Sequence, residues 1–245
     1  MLSCRTWKSL IQEDFYRHIF VMASKSRNML PKWRAFLKNN PSRSRIIKSM
    51  HISFYGVDLS CSAMFFAQKF PNLETLSITR WSFAREPSRL YGAALTCLSS
   101  VKSLDLWGIR DCTVPRLLKL INSFRSLSKL RIIFEAPELD IVKGPLPTPC
   151  KQSTFRLTYL EIMLIPGIHA LLDWFVRANP FISRLKHLTL MLWNKDQLES
   201  ACGGMKGLLY HCSNHLEELT LWIQVPGTDE AVNLSECIVI SPAVL

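Results

Sequence analysis

Leu127-Ser128-Lys129-Leu130-Arg131-Ile132, Leu157-Thr158-Tyr159-Leu160-Glu161-Ile162 and Leu185-Lys186-His187-Leu188-Thr189-Leu190 are three copies of one pattern. An aliphatic residue is followed by a second three places on and by a third two places after that. The pattern occurs seven times, with first positions at Ile47, Leu73, Val101, Leu127, Leu157, Leu185 and Leu216. The steps are 26, 28, 26, 30, 28 and 31 residues. The fourth and sixth positions lie two apart, so on a strand both side chains point to one face. The first position anchors the chain as it runs into the strand. One such strand cannot bury its face alone, and neighbouring copies must stack.

Between copies the apolar spacing turns helical. Ile168, Leu171, Leu172, Phe175 and Val176 share one helix face, and Asn179-Pro180 ends it. Ser60 is placed to cap a helix carrying Met64, Phe65 and Phe66, and Thr113 one over Val114 to Phe124. Asn194 with Gln197 reads as a capping box. Gly203-Gly204-Met205-Lys206-Gly207 reads as a helix break. The expected fold is α/β: an irregular solenoid of about seven strand-helix repeats, with a parallel sheet on the concave side. Three parts are expected: a helical N-terminal segment over 1–45, the solenoid over 46–225 and a C-terminal tail over 226–245. The stretch Glu135–Thr154 has no helical periodicity and holds Pro137, Pro145, Pro147 and Pro149. It is either a functional loop or a tolerated surface insertion.

The repeat resembles the leucine-rich-repeat family over roughly residues 46–225. That family usually places Asn or Cys three residues after the sixth position. Here those places hold Tyr55, Trp81, Ile109, Glu135, Ile165, Trp193 and Gln224, so the asparagine ladder is absent. At the N-terminus, Cys4-Arg5-x-Trp7 followed by Leu10, Phe15-Tyr16 and Ile19 resembles the closing half of an F-box. Fungal F-box proteins resemble this order of parts, with a second amphipathic helix such as Trp33, Phe36 and Leu37 and then irregular repeats. The resemblance implies that the first segment faces a Skp adaptor of a cullin ubiquitin ligase and that the repeats hold a protein substrate. The opening, Leu-Pro half of the F-box does not precede Cys4, which implies either a truncated chain or lost adaptor binding. Without any ligase link, Trp7, Phe15 and Trp33 read as a helical cap on the solenoid core.

Formal net charge is +11, and residues 1–50 carry 11 Lys+Arg against Glu13 and Asp14. That basic segment reads as a docking surface for an acidic partner, or as a solvated helical face. No aromatic-and-glycine motif of a nucleic-acid module accompanies it, and a nucleic-acid partner is not expected. The eight cysteines are scattered, without Cys-x-x-Cys and without an apolar signal segment. Free thiols and a cytoplasmic or nuclear location are expected. No stretch reads as a membrane span; Leu157 to Val176 is interrupted by Glu161, Pro166, His169 and Asp173.

No Gly-x-Ser-x-Gly elbow, His-Glu-x-x-His or phosphate loop occurs, and no enzyme activity or cofactor is expected. Cys202, His211, Cys212 and His215 lack the two tight ligand pairs of structural zinc. The candidate site is instead a surface. The seventh position of each repeat shares the parity of the third and fifth, so it faces the concave side. It reads Ser53 and Thr79, then Trp107, Ile133, Met163, Met191 and Trp222. This apolar stripe is either a partner-binding surface or a patch covered by the tail, Val225 to Leu245, or by the proline-rich loop. At the fifth position Asp105, Arg131 and Glu161 alternate in sign and are expected to pair across the strands.

Overall fold

A computed structural model describes residues 17–24, 30–55, 67, 69–82, 98–135, 156–165, 167–177, 182–192, 195–224 and 235–240. Among the described residues nine strands form one sheet in the order of the sequence. They are β1 His18–Ser24, β2 Ser49–Tyr55, β3 Thr75–Thr79, β4 Ser103–Ile109, β5 Lys129–Phe134, β6 Tyr159–Leu164, β7 His187–Leu192, β8 Glu218–Gln224 and β9 Ser235–Ile240. Pairing is parallel from β1 to β8 and antiparallel between β8 and β9. Among the described residues four α-helices lie between them: α1 Leu30–Asn39, α2 Val114–Asn122, α3 His169–Arg177 and α4 Lys195–Cys212. A short 3-10 helix, Pro41–Arg45, precedes β2.

The repeat positions become the core. Each strand pairs position for position with the next, so Leu104, Leu130 and Leu160 are consecutive rungs. The first, fourth and sixth positions of the seven copies are buried, except Leu221, which is half-buried. Leu117, Leu118, Leu120 and Ile121 of α2 and Leu171, Leu172 and Phe175 of α3 complete the same cluster. Three residues after the sixth position, Trp81, Ile109 and Ile165 are also buried, so apolar side chains close the turn there. Glu135, at the same place, is exposed and takes the Arg110 guanidinium. Ile109 reaches the core through a bulge: the β4–β5 register shifts between Trp107 and Ile109. Gly108 between them has φ +68, the left-handed region that glycine occupies without strain.

Several expectations need correction. The segment 1–45 is not wholly helical: residues 18–24 form β1, parallel to β2, with Ile19 opposite Met50 and Val21 opposite Ile52. Ile19 and Val21 are buried in the core, so β1 is a further copy of the ladder strand. Its first position is Tyr16, 31 residues before Ile47, and an aromatic there falls outside an aliphatic pattern. The second helix stands as expected: α1 packs Trp33 and Leu37 against the core. The tail supplies β9, which extends the sheet beyond β8. The helix expected after Ser60 and the stretch Glu135–Thr154, apart from Glu135, lie outside the described residues. Thr113 occupies the N-cap of α2, but its side chain makes no capping bond; Pro115 in the first turn needs no donor satisfied.

The glycines at 203–207 do not break a helix but lie inside α4. Packing explains two of them. A Cβ on Gly204 would sit 3.0 Å from Leu172 Cβ on α3, and one on Gly207 would sit 3.3 Å from Val176 Cγ2. A Cβ on Gly203 would meet nothing within 4 Å. Alanine removes roughly 1 kcal/mol of helix cost wherever it fits, whereas overpacking costs about 1–3 kcal/mol. Gly203→Ala is therefore expected to stabilise the fold by roughly 0.5–1 kcal/mol. Gly204→Ala is expected to destabilise it. Urea unfolding of the two variants checks this, and an equal shift in both would contradict the α3–α4 contact.

Candidate functional site

The side chains at odd positions stand on the sheet face opposite α2 and α3. Along the fifth position they run His51, Ser77, Asp105, Arg131, Glu161, Thr189 and Thr220, each paired in register with the next. Phe20 of β1 extends this row and stacks on His51, with ring centroids 4.9 Å apart. The expected cross-strand pairing is made on one side alone: Arg131 pairs with Glu161, while Asp105 stands beside Arg131 without an ion pair to it. Arg131 Nε lies 2.9 Å from Glu161 Oε1, and the Tyr159 hydroxyl donates to Glu161 Oε2 at 2.7 Å. The Ser77 hydroxyl donates to Asp105 Oδ2 at 3.3 Å. The Arg131 guanidinium also lies over the Trp107 ring, 4.7 Å from its centroid. Ser77, Asp105, Arg131, Tyr159 and Glu161 border a shallow cavity of about 270 Å³.

The row is less exposed than a solvated charge ladder. The Glu161 side chain is 11% exposed and that of Arg131 35%, so the pair exceeds a surface salt bridge in consequence. Burial pushes the Asp105 carboxyl above its ordinary range, against the opposing pull of Arg131 and the Ser77 hydrogen bond. Its Oδ1 is buried without a hydrogen-bond partner. Burial lowers His51, with Asp105 acting the other way. Burial and the bond to Glu161 raise the Tyr159 hydroxyl to about 12. Ser77, His51 and Asp105 are near one another, but Ser77 donates directly to Asp105 while the His51 ring sits 3.4 Å from the Thr79 hydroxyl. A nucleophilic relay needs the histidine between the serine and the acid, and that order is not made here. What the face presents is a row of charged and hydrogen-bonding side chains beside an exposed tryptophan.

The apolar stripe is discontinuous. Trp107 is 46% exposed and Trp222 40%, and Met191 is half-buried. Ile133 and Met163 are buried, although their parity places them on the open face. The C-terminal ends of β5 and β6 are buried on both faces, and the β5–β6 register stops at Ile132 with Ile162. The expected five-residue stripe thus reduces to two tryptophans with part of Met191. β9 does not lie over the stripe; it pairs along the β8 edge, with Cys237 opposite Trp222.

Of the residues implied as adaptor-facing, Cys4, Arg5, Trp7, Leu10, Phe15 and Tyr16 lie outside the described residues. Ile19 is 3% exposed and belongs to the core, so it is not a contact residue. The sequence reading also missed Phe20, His51 and Tyr159 as members of the open face; the period-2 parity of the ladder carries them once β1 is placed. Cys112 and Cys212 are buried free thiols, both pushed up by burial, Cys212 to about 11. Among the described residues no three His, Cys, Asp or Glu side chains are grouped to hold a metal ion, and no helix is long and apolar enough to cross a membrane. Comparison of the chain with protein-family models, curated protein sequences and solved structures gives no match.

Asp105 has a folded-state pKa above its unfolded one, so its ionised form is disfavoured by folding. Stability from this group is then greatest at acid pH and is lost as pH rises through the carboxylate range. Asp105→Asn is expected to raise the unfolding midpoint at pH 7, with the difference from wild type shrinking toward pH 4. Thermal unfolding at the two pH values checks it; a variant less stable at pH 7 would mean that the attraction of Arg131 outweighs burial.

Proposed function

We propose that this chain is a protein-binding scaffold of the irregular leucine-rich-repeat type, taking its partner on the open sheet face. One observation carries the reading: Trp107, braced by Arg131, and Trp222 remain exposed on the open face of the parallel sheet, as does Phe20 at its first strand. A large aromatic held rigid beside polar groups is the usual anchor of a protein interface. Each tryptophan is expected to contribute about 2 kcal/mol or more of affinity when such a partner binds. Trp107→Ser and Trp222→Ser should therefore release partners crosslinked to the wild-type chain while leaving the unfolding midpoint nearly unchanged. Loss of stability with unchanged partners would place the tryptophans in the core instead.

The order of parts, an F-box-like segment followed by repeats, favours a narrower second reading. In it the chain is the substrate-recognition part of an F-box-type ubiquitin ligase. Burial of Ile19 removes one of the side chains the resemblance would give to the adaptor. Binding of the full chain to a purified Skp adaptor is accordingly expected to be weak or absent in a pull-down. Tight binding would establish the ligase reading over the plain scaffold.

A further inference from the structure

The residue just before the first ladder position marks the rim where the chain turns into each strand. In the four earlier repeats this residue is uncharged, and in two of them it ties one repeat to the previous one. Asn72 Nδ2 donates to the Arg45 carbonyl at 2.8 Å, and the Ser100 hydroxyl to the Leu73 carbonyl at 2.8 Å. Before β6, β7 and β8 the same place holds Arg156, Arg184 and His215, all exposed. With Lys186 they line an open groove of about 980 Å³. Lys186 is compensated by Glu217, 2.5 Å away. Neither Arg156 nor Arg184 has an ion-pair partner among the described residues. The rim has thus exchanged an inter-repeat tie for two uncompensated cations on adjacent rungs, about 4.8 Å apart. Like charges so placed repel, and an anion between them relieves the repulsion.

We propose that this groove binds an acidic polypeptide segment lying across the rims of β6, β7 and β8. Alternate side chains of an extended segment are about 6.5 Å apart, within reach of two arginines rooted on adjacent strands. Planar guanidinium groups take carboxylates through two parallel hydrogen bonds, and the Asn214 amide at the groove offers a further polar partner. Among the described residues no Phe, Tyr or Trp lines the groove, so the bases of a single-stranded nucleic acid would find only the His215 ring and the guanidinium planes to stack on. The proposal concerns the rim and does not depend on a partner on the open face.

The test is calorimetric titration of the full chain with a short polyglutamate peptide at low salt. The wild-type chain is expected to bind it, and Arg156→Glu with Arg184→Glu to weaken binding by at least about tenfold. Lys32→Glu with Lys38→Glu, two exposed positions on α1, changes net charge by the same amount and is expected to have a much smaller effect. Unfolding midpoints confirm that each variant is folded. If the charge reversal unfolds the chain, Arg156→Gln with Arg184→Gln replaces it and is also expected to weaken binding. No binding by wild type, or equal losses in the groove and α1 variants, overturns the proposal. So does a single-stranded oligothymidine that binds more tightly than the peptide and is lost with the groove arginines.

Discussion

Each strand from β3 to β8 begins at one shared acceptor. The carbonyls of Lys48, Glu74, Lys102, Ser128, Thr158 and Lys186 each accept two backbone N–H groups from the start of the next strand. The two donors are consecutive residues, as with Glu74 and Thr75 on Lys48 or Glu217 and Glu218 on Lys186, at 2.7–3.2 Å. This fork fixes where a strand starts relative to its neighbour, whatever the length of chain between them. Steps of 26 to 31 residues therefore feed a sheet whose rungs stay in step from the start of each strand, up to the bulge at Gly108. Because parity alternates from a fixed start, the fork also decides, outside that bulge, which side chains face the helices and which face outward.

The ladder was legible because its three positions are set by local physics: an anchor and two same-face side chains recur on every strand. The open-face charge row followed from the same register without further information. Other elements depend on partners remote in sequence. β1 hid behind Tyr16, an aromatic at the place where the pattern has an aliphatic residue. β9 pairs antiparallel, needs no crossover, and carries no anchor to betray it. Ile133 and Met163 have open-face parity yet are buried, and parity alone says nothing of what lies above a strand. The glycines of α4 read as breakers by propensity, but the approach of Leu172 and Val176 decides their use.

The open face combines two opposed requirements. Asp105 keeps a buried oxygen without a partner, while Glu161 two strands away has both oxygens engaged by Arg131 and Tyr159. Arg131 serves three neighbours at once: it bonds Glu161, attracts Asp105 and covers one face of Trp107. Its rotamer is consequently fixed from several sides, and Trp107 is held in place before anything touches it. Side chains ordered in advance lose less entropy on association than freely rotating ones.

Trp107 stands on β4 and Trp222 on β8, four rungs apart. At about 4.8 Å per rung, the two indoles are separated by roughly 19 Å along the sheet. On the proposed reading they would be the jaws of a calliper whose opening is set by hydrogen-bond spacing and not by any flexible linker. A small metabolite is too short to touch both. An extended peptide covers the gap with about six residues, and a helix with about thirteen, so on the proposed reading the sheet itself sets the length of a partner that both tryptophans would meet.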